Sequence, residues 1–599
     1  AEMVALGSLS HKKRDDVSDN NADARTTGQH AAPRRHQPWA KRAKAALPTL
    51  INQSAALCLA GALVGMTSGL CIGFFASNLS GVHLGPAVFS TMFTRALSPS
   101  MFGDAAQPRY TDCDWDGRDK RYCHLYLTLA ENASSSVIVN AHAAVSTAAT
   151  PAGVRFAFCS VPDVPNGPAA AATAAAGTTT TPSACTGPMI TVPADVALVD
   201  WMPEVSTRRA VHSALLTPLR PDTRHAIWML SPEDAPAAAA LMANGGSSST
   251  AAADLHFRSF PSPGAPLAFV SGGDMGNTPE SDAVSVSAAA TSPSFAVIGG
   301  DIAYANDMPE CISLWDAWMS SWQALMVTPA GDAIPILSAC GNHDAGSNAG
   351  SKALETRYVN GKWVGAEIPF MFAFFPHRTV EIDDVRSRRP FHLHRVGAGA
   401  GSALEVVVLD SGHVVEYDDP SQMDMLSSLP KRPAADSEEK PACRVAVYHV
   451  PIFPSGDVDW DSQLSFMTAP RKFWLPEFQR LGVSLAFENH VHTMKKTLPL
   501  YPTGQAVVRR HVDNPASEGG TVYLGDGRWG IAKGGKDPAS GHNVVAPTTT
   551  GGDSVVESAA TENHVWRIVV DAMAGQMNAT AVGMSGVLSG RMWEDVIQC

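Results

Sequence analysis

Apolar residues in the second half of the chain fall mainly in short, mostly apolar runs of strand length. Leu267-Ala-Phe-Val, Phe295-Ala-Val-Ile, Ile334-Pro-Ile-Leu, Val445-Ala-Val-Tyr and Val483-Ser-Leu-Ala-Phe are all of strand length. Such runs predict strands buried on both faces of an α/β sheet. Helical spacing lies between them, over Leu314 to Met326 and Phe473 to Leu481. Residues 264–599 therefore read as an α/β body of packed sheets flanked by helices, with closing strands at Val565-Trp-Arg-Ile-Val-Val and Ala579-Thr-Ala-Val.

The pattern before residue 264 differs. Residues 105–262 lack helical periodicity and are dense in Val, Thr, Ser and Pro. Cys123-His-Leu-Tyr-Leu-Thr-Leu, Ser136-Val-Ile-Val, Val154-Arg-Phe-Ala-Phe, Met189-Ile-Thr-Val and His225-Ala-Ile-Trp-Met alternate or run as strands between turn residues. That spacing predicts a β-sandwich domain. Two low-complexity stretches, 169–181 and 237–253, read as loops within it.

Residues 1–54 are polar and without apolar periodicity, and predict a disordered tail. Residues 55–76 carry no charge, and 22 residues can cross a bilayer. Nine Lys or Arg precede this stretch, ending in Lys41, Arg42 and Lys44, and none follows until Arg95. The charge bias predicts one transmembrane signal anchor with the tail in the cytoplasm and the body extracellular or lumenal. A cleaved signal peptide would instead give a secreted protein, and a buried helix is the remaining alternative. Asn78, Asn132 and Asn578 begin glycosylation triplets on the side of the body.

Composition adds bounds. A chain of 599 residues with 45% hydrophobic and 17% charged residues is globular on average and long enough for several domains. A net charge of -13 argues against a nucleic-acid partner. Of ten cysteines, Cys58 and Cys71 fall in the apolar stretch; Cys113 with Cys123, and Cys159 with Cys185, pair on proximity alone.

The chemistry lies just past the apolar runs. Asp274 stands in Gly-Asp-Met-Gly, Asp301 and Tyr304 in Gly-Asp-Ile-Ala-Tyr, and Asn342 and His343 in Gly-Asn-His-Asp; His449 and His490-Val-His492 follow. Polar groups at the carboxyl ends of sheet strands converge on one edge, where ligands bind. Asp274, Asp301, Tyr304, Asn342, His449, His490 and His492 offer oxygen and imidazole donors without a thiolate. That mixture suits zinc, manganese or iron rather than a structural Cys-rich zinc site. Seven donors exceed the need of one four-coordinate ion, so two ions sharing a carboxylate is the simpler reading. Two carboxylates and a phenolate set against a trivalent and a divalent ion leave a positive site, matched to an anionic phosphate ester.

The order Asp274-x-Gly276, Gly300-Asp-x-x-Tyr304, Gly341-Asn-His-Asp344, a strand ending in His449, and His490-x-His492 resembles that of the calcineurin-like metallophosphoesterases. Tyr304 narrows the resemblance to the purple acid phosphatases. Leu219-Arg-Pro-Asp-Thr223 and Phe257-Arg-Ser-Phe-Pro-Ser-Pro-Gly264 are similar to that family's sandwich and its connection into the catalytic domain. The resemblance implies a fibronectin III-like sandwich before the catalytic domain. It implies Asp274, Asp301, Tyr304 and His492 on a ferric ion, with Asp301 bridging to a divalent iron, zinc or manganese ion on Asn342, His449 and His490. The implied reaction is acid-phosphatase hydrolysis of phosphate monoesters by a metal-bound hydroxide, with His343 contacting phosphate or protonating the leaving group. Phosphorylated small molecules or proteins would be substrates, and a homodimer is left open. The alternatives are a phosphodiesterase or nucleotide pyrophosphatase on the same fold, or a non-catalytic surface adhesion protein.

The sequence departs from the family pattern in places. Ala446 stands where Val is usual, and Asn489 replaces the Gly before His490. The segment after His449 lacks an additional His, and Lys495-Lys496 replaces Glu-Arg. These departures leave the ligand set intact and bear on substrate preference. His413, in Asp410-Ser-Gly-His, could face the site, although a structural role is its simpler reading. Gly525-Asp-Gly-Arg-Trp-Gly530 reads as a tight turn.

Overall fold

The structure is a computed structural model. It describes residues 122–144, 153–163, 185–199, 209–230, 253–262, 264–308, 311–346, 357–364, 368–397, 403–431, 443–454, 469–500, 520–525, 527–531, 556–560, 562–588 and 594–599. All of these lie within one compact unit, Gly85–Cys599.

Eight strands come first: β1 (His124–Thr128), β2 (Val137–Ala144), β3 (Arg155–Ser160), β4 (Ile190–Pro193), β5 (Asp195–Val199), β6 (Arg209–Leu216), β7 (Arg224–Leu230) and β8 (Leu255–Arg258). Strands β1, β2, β6 and β5 pair in that order, as do β4, β3, β7 and β8. Leu125, Leu127, Val137 and Leu216 of the first layer share a core with Phe156, Phe158, Ile227 and Phe257 of the second. Cys159 and Cys185 form a disulfide there.

A βαβαβ run follows: β9 (Leu267–Gly272), α1 (Pro279–Ala290), β10 (Phe295–Ile298), α2 (Ile312–Leu325) and β11 (Ile336–Ser338). Thr278 caps α1 by accepting the Ser281 amide, and Pro279 suits a first turn with no amide partner to lose. Strands β9, β10 and β11 are parallel neighbours. The sheet continues past the expected domain boundary, because β11 pairs in parallel with β1 at Ile336 and Thr128.

The remainder begins with a hairpin, β12 (Arg357–Val359) and β13 (Lys362–Val364), and two short helices, α3 (Phe370–Phe374) and α4 (Val380–Asp383). A second large sheet follows: β14 (His392–Val396), β15 (Leu404–Val408), α5 (Pro420–Ser428), β16 (Cys443–Val447), α6 (Arg471–Leu481), β17 (Leu485–Phe487), β18 (Met494–Thr497), β19 (Val522–Gly525) and β20 (Val556–Ala560). Its spatial order is β14-β15-β16-β17-β19-β18-β20. Strands β21 (His564–Asp571), β22 (Gln576–Gly583), β23 (Gly586–Val587) and β24 (Glu594–Gln598) return to the first sheet beside β9.

Burial follows the strand period. Along β10, Phe295 and Val297 join Phe269, Leu337, Val406, Val445 and Leu485 in a core between the two large sheets. Ala296 and Ile298 pack on the other side, with Val284 of α1 and Trp315 and Trp318 of α2. Val407, Ala446 and Ala486 of the second sheet meet Leu426 of α5 and Trp474 and Phe478 of α6. Both faces are covered, so Phe295–Ile298 of β10, Val445-Ala-Val447 of β16 and Leu485–Phe487 of β17 carry no polar residue.

Two expectations are corrected. The fold class, an α+β and α/β chain with a transmembrane helix, overstates helix: the described chain is mostly sheet with few helices. The cause is connectivity. Strands β21 and β22, β1 and β2, and β14 and β15 pair as antiparallel neighbours and need no crossover helix. The single-pass anchor is also not retained, nor is the extracellular or lumenal placement built on it. Among the described residues no helix is long and apolar enough to cross a membrane. The longest, α2, has 14 residues where a span needs about 20. Residues 1–54 and 55–76, on which that reading rested, lie outside the described residues, as do Cys113 and nearly all of the two low-complexity stretches.

Candidate metal centre

Five strands deliver the candidate residues at their carboxyl ends. Asp274 follows β9, Asp301 and Tyr304 follow β10, Asn342 and His343 follow β11, His449 follows β16, and His490 and His492 follow β17. The turns that present them are strained. Asp274, Asp301, Tyr304, His490 and His492 all have φ between 53° and 77°, a region that few residues other than glycine occupy. Each costs on the order of 1–3 kcal/mol, and such strain collects where function over-determines the backbone.

The side chains form two clusters. In one, Asn342 Oδ1 lies 3.0 Å from His449 Nε2 and 2.9 Å from His490 Nδ1. The two imidazole nitrogens are 3.2 Å apart, and Asp301 Oδ2 is 3.3 Å from His449 Nε2. Asp301, His449 and His490 form a triad whose donor atoms suit one metal ion. In the other cluster, His492 Nε2 lies 2.9 Å from Asp274 Oδ1, and the Tyr304 hydroxyl is 3.2 Å from each. Donors held tetrahedrally at about 2.1 Å from an ion stand about 3.4 Å apart, close to these spacings.

Hydrogen bonding alone does not account for the first cluster. His449 Nδ1 faces the Gly299 carbonyl at 2.9 Å and so carries the ring proton of the neutral imidazole. Its Nε2 lone pair then points at the oxygens of Asn342 and Asp301. Converging lone pairs require a cation between them, either a proton or a metal ion. Electrostatics make the same demand. Asp274 and Asp301 are 0% and 1% exposed, and among the described residues their cationic partners are histidines only. Burial opposes charge on His449, but the Asp301 and Asp274 carboxylates outweigh it and raise the imidazole to about 9. Burial pushes Asp301 up, yet the surrounding imidazoles, His449 foremost, hold it well below the usual carboxylate range. Burial lowers His490 to about 4. Burial and the Asp274 and Asp301 charges push the Tyr304 phenol well above 10, so it is neutral unless a strongly acidic metal ion holds it.

Neighbours fix these groups in place. The Asp344 carboxylate accepts the amides of Asp301 (2.7 Å), Ile302 (2.9 Å) and Gly341 (3.0 Å). Burial and the Asp301 charge raise Asp344 to about 7. His343 stacks on Tyr304 at 4.3 Å, and its Nδ1 lies 2.5 Å from Asn306 Oδ1. Its Nε2 is 3.8 Å from Asp301 Oδ2.

Several supports were not legible as such in the sequence. The stretch read as a tight turn buttresses the first carboxylate: Gly530 and Ile531 donate their amides to the Asp274 carbonyl. A Cβ on Gly527 would fall 1.8 Å from Asp274 Oδ2. Lys495 is fully buried, pairs with Glu488 and donates to the Phe453 carbonyl, while Lys496 turns to Asp595. Asn489 lies against Gly273 and Gly299 and donates to the Tyr448 carbonyl at 2.9 Å. His413 stands with its ring 5.4 Å from that of His449.

Neither the protein-family models nor the curated proteins contain a match to this sequence. Solved structures do match. The purple acid phosphatase PPD1 from yellow lupin (Lupinus luteus) seeds superposes with a TM-score of 0.52 at 14% identity, over 79% of this chain and 73% of that one. PhoD (TM-score 0.45, 10% identity, 79% and 92% covered) and a predicted phosphoesterase of Streptococcus pneumoniae (0.21, 10%, 56% and 99%) are too distant to bear on the fold. The continuous strands, the two facing sheets and the superposition together give this chain the fold of a purple acid phosphatase-like metallophosphoesterase.

Proposed function

We propose that the chain is a metal-dependent phosphoesterase of the acid phosphatase type, acting on phosphate monoesters of small molecules or proteins. The observation that carries the reading is the pair of donor clusters, in which lone pairs of carboxylate, amide and imidazole groups converge and, among the described residues, no Lys or Arg pairs with the carboxylates. Asp274, Asp301, Tyr304 and His492 would hold a ferric ion. Asn342, His449 and His490 would hold divalent iron, zinc or manganese, with Asp301 shared. Ions bound there supply Lewis acidity toward the phosphoryl group and lower the pKa of water.

The remaining chemistry belongs to the chain. His343 Nδ1 is engaged with Asn306, and its Nε2, 3.8 Å from Asp301 Oδ2, is the nitrogen that would pass a proton to a leaving alkoxide. Asp344 keeps Asp301 aimed by fixing its amide. Steady-state assays of an aryl phosphate monoester and diester across acidic pH, before and after chelation, test the reading. Monoester hydrolysis that is lost on chelation and restored by metal supports it. Diester preference would move the assignment to a phosphodiesterase, and inactivity toward both in fully metallated protein would refute it.

A further inference from the structure

The loop after β15 carries a histidine that the roles above leave unused. Strand β15 is the parallel neighbour of β16, Val408 opposite Val447, so its carboxyl end emerges beside His449. The loop is tightly built. The buried Asp410 carboxylate accepts the amides of His413 (3.2 Å), Val414 (2.8 Å) and Val415 (2.6 Å). The buried Gln422 side chain bonds both the amide and the carbonyl of Asp410. Ser411 Oγ accepts the Val450 amide at 3.0 Å, tying the loop to the segment that bears His449. Gly412, at φ 96°, makes the turn that a side chain would resist.

This frame holds the His413 ring 5.4 Å from the His449 ring, edge to face, and within electrostatic reach of Asp301, His490 and His343. Among the described residues its Nε2 is buried and has no hydrogen-bond partner. A buried imidazole nitrogen left unpaired costs roughly 1–3 kcal/mol. Rigid support for a ring that stands beside His449 and has a buried, unpaired Nε2 fits a ligand contact better than a packing role.

We propose that His413 is a phosphate-binding residue, its Nε2–H donating to a terminal oxygen of the phosphoryl group beside the Asp301–His449–His490 cluster. The inference rests on the phosphoesterase reading. Inorganic phosphate, the product of monoester hydrolysis, keeps the same terminal oxygens, so the contact serves substrate and product alike.

The test uses the metallated full chain as wild type, His413→Ala and His413→Gln. It reads metal content by mass spectrometry, inorganic phosphate affinity by calorimetry, and KM and kcat on an aryl phosphate. His413→Ala should weaken phosphate binding and raise KM roughly 10- to 100-fold, the ratio for one hydrogen bond to a charged group, with metal content unchanged. His413→Gln, which keeps an N–H at similar reach, should restore part of the loss. Phosphate affinity within twofold of wild type in His413→Ala overturns the inference, and so does loss of metal in that variant. Wild type that binds metal but neither binds phosphate nor hydrolyses monoester overturns the phosphoesterase reading, and this inference with it.

Discussion

Replacing Lys495 by Met isolates one buried charge and allows its cost to be worked out. Glu488 and Lys495 are 1% and 0% exposed and pair directly. Without the ammonium, the carboxylate keeps three donors: the Tyr448 hydroxyl at 2.8 Å, the Ile452 amide at 2.7 Å and the Phe453 amide at 3.4 Å. Breaking a buried pair from one side costs about 3–5 kcal/mol. Three remaining donors place this site at the lower end, about 3 kcal/mol. Glu488→Gln in the same chain removes the stranded charge while its carbonyl still accepts from Tyr448 and Ile452. The double variant should therefore recover about half of the loss or more. Urea unfolding of the wild type, both single variants and the double variant gives the coupling energy directly. Glu488 also joins the segment after His449 to the one bearing His490 and His492, so Lys495→Met should speed metal release. A loss below about 1 kcal/mol with no coupling would refute the reasoning.

Two further predictions concern pH and packing. Burial lowers His394 to about 4, so the folded state holds it neutral while the unfolded chain titrates near 6.5. Its contribution is complete above about pH 6.5 and is lost as pH falls toward 4, about 2 kcal/mol from this group by pH 5. Urea midpoints at pH 7 and pH 5 check this, and His394→Gln should flatten the difference. Gly527→Ala should release metal from the Asp274 cluster while β9 stays folded, because the added methyl lands on Asp274 Oδ2 at a backbone φ of 69°. Unchanged metal content by mass spectrometry would contradict it.

Much of the fold was legible because the central strands are covered on both faces, leaving Phe295-Ala-Val-Ile298 and Val445-Ala-Val447 no polar position. The convergence of the candidate residues was legible from type and order, since groups that follow such strands share one edge. Long-range partners were not. Nothing local joins Cys443 to Cys599, a disulfide across 156 residues, or Thr128 to Ile336, the pair that makes one sheet of two expected domains. The burial of Lys495 was not legible, because its partner Glu488 is met only when the chain after β17 turns back into β18. The frame around His413 was not legible because Asp410 and Gln422, which build it, are spread over the loop and helix α5. The membrane anchor was inferred from charge bias around a stretch that Gly, Ser and Thr dilute, and flanking charge orients a span without establishing one.

The central claim is that seven side chains from five strand ends gather around two cations. Metal analysis of the purified full chain, read with its absorption spectrum and with Tyr304→Phe and Asp301→Asn beside it, tests this most directly. The account predicts two ions per chain, a visible charge-transfer band lost in Tyr304→Phe, and loss of both ions in Asp301→Asn. Two zinc or manganese ions without the band would remove the iron assignment alone. At most one ion per chain, undisturbed by Asp301→Asn, would contradict the shared centre.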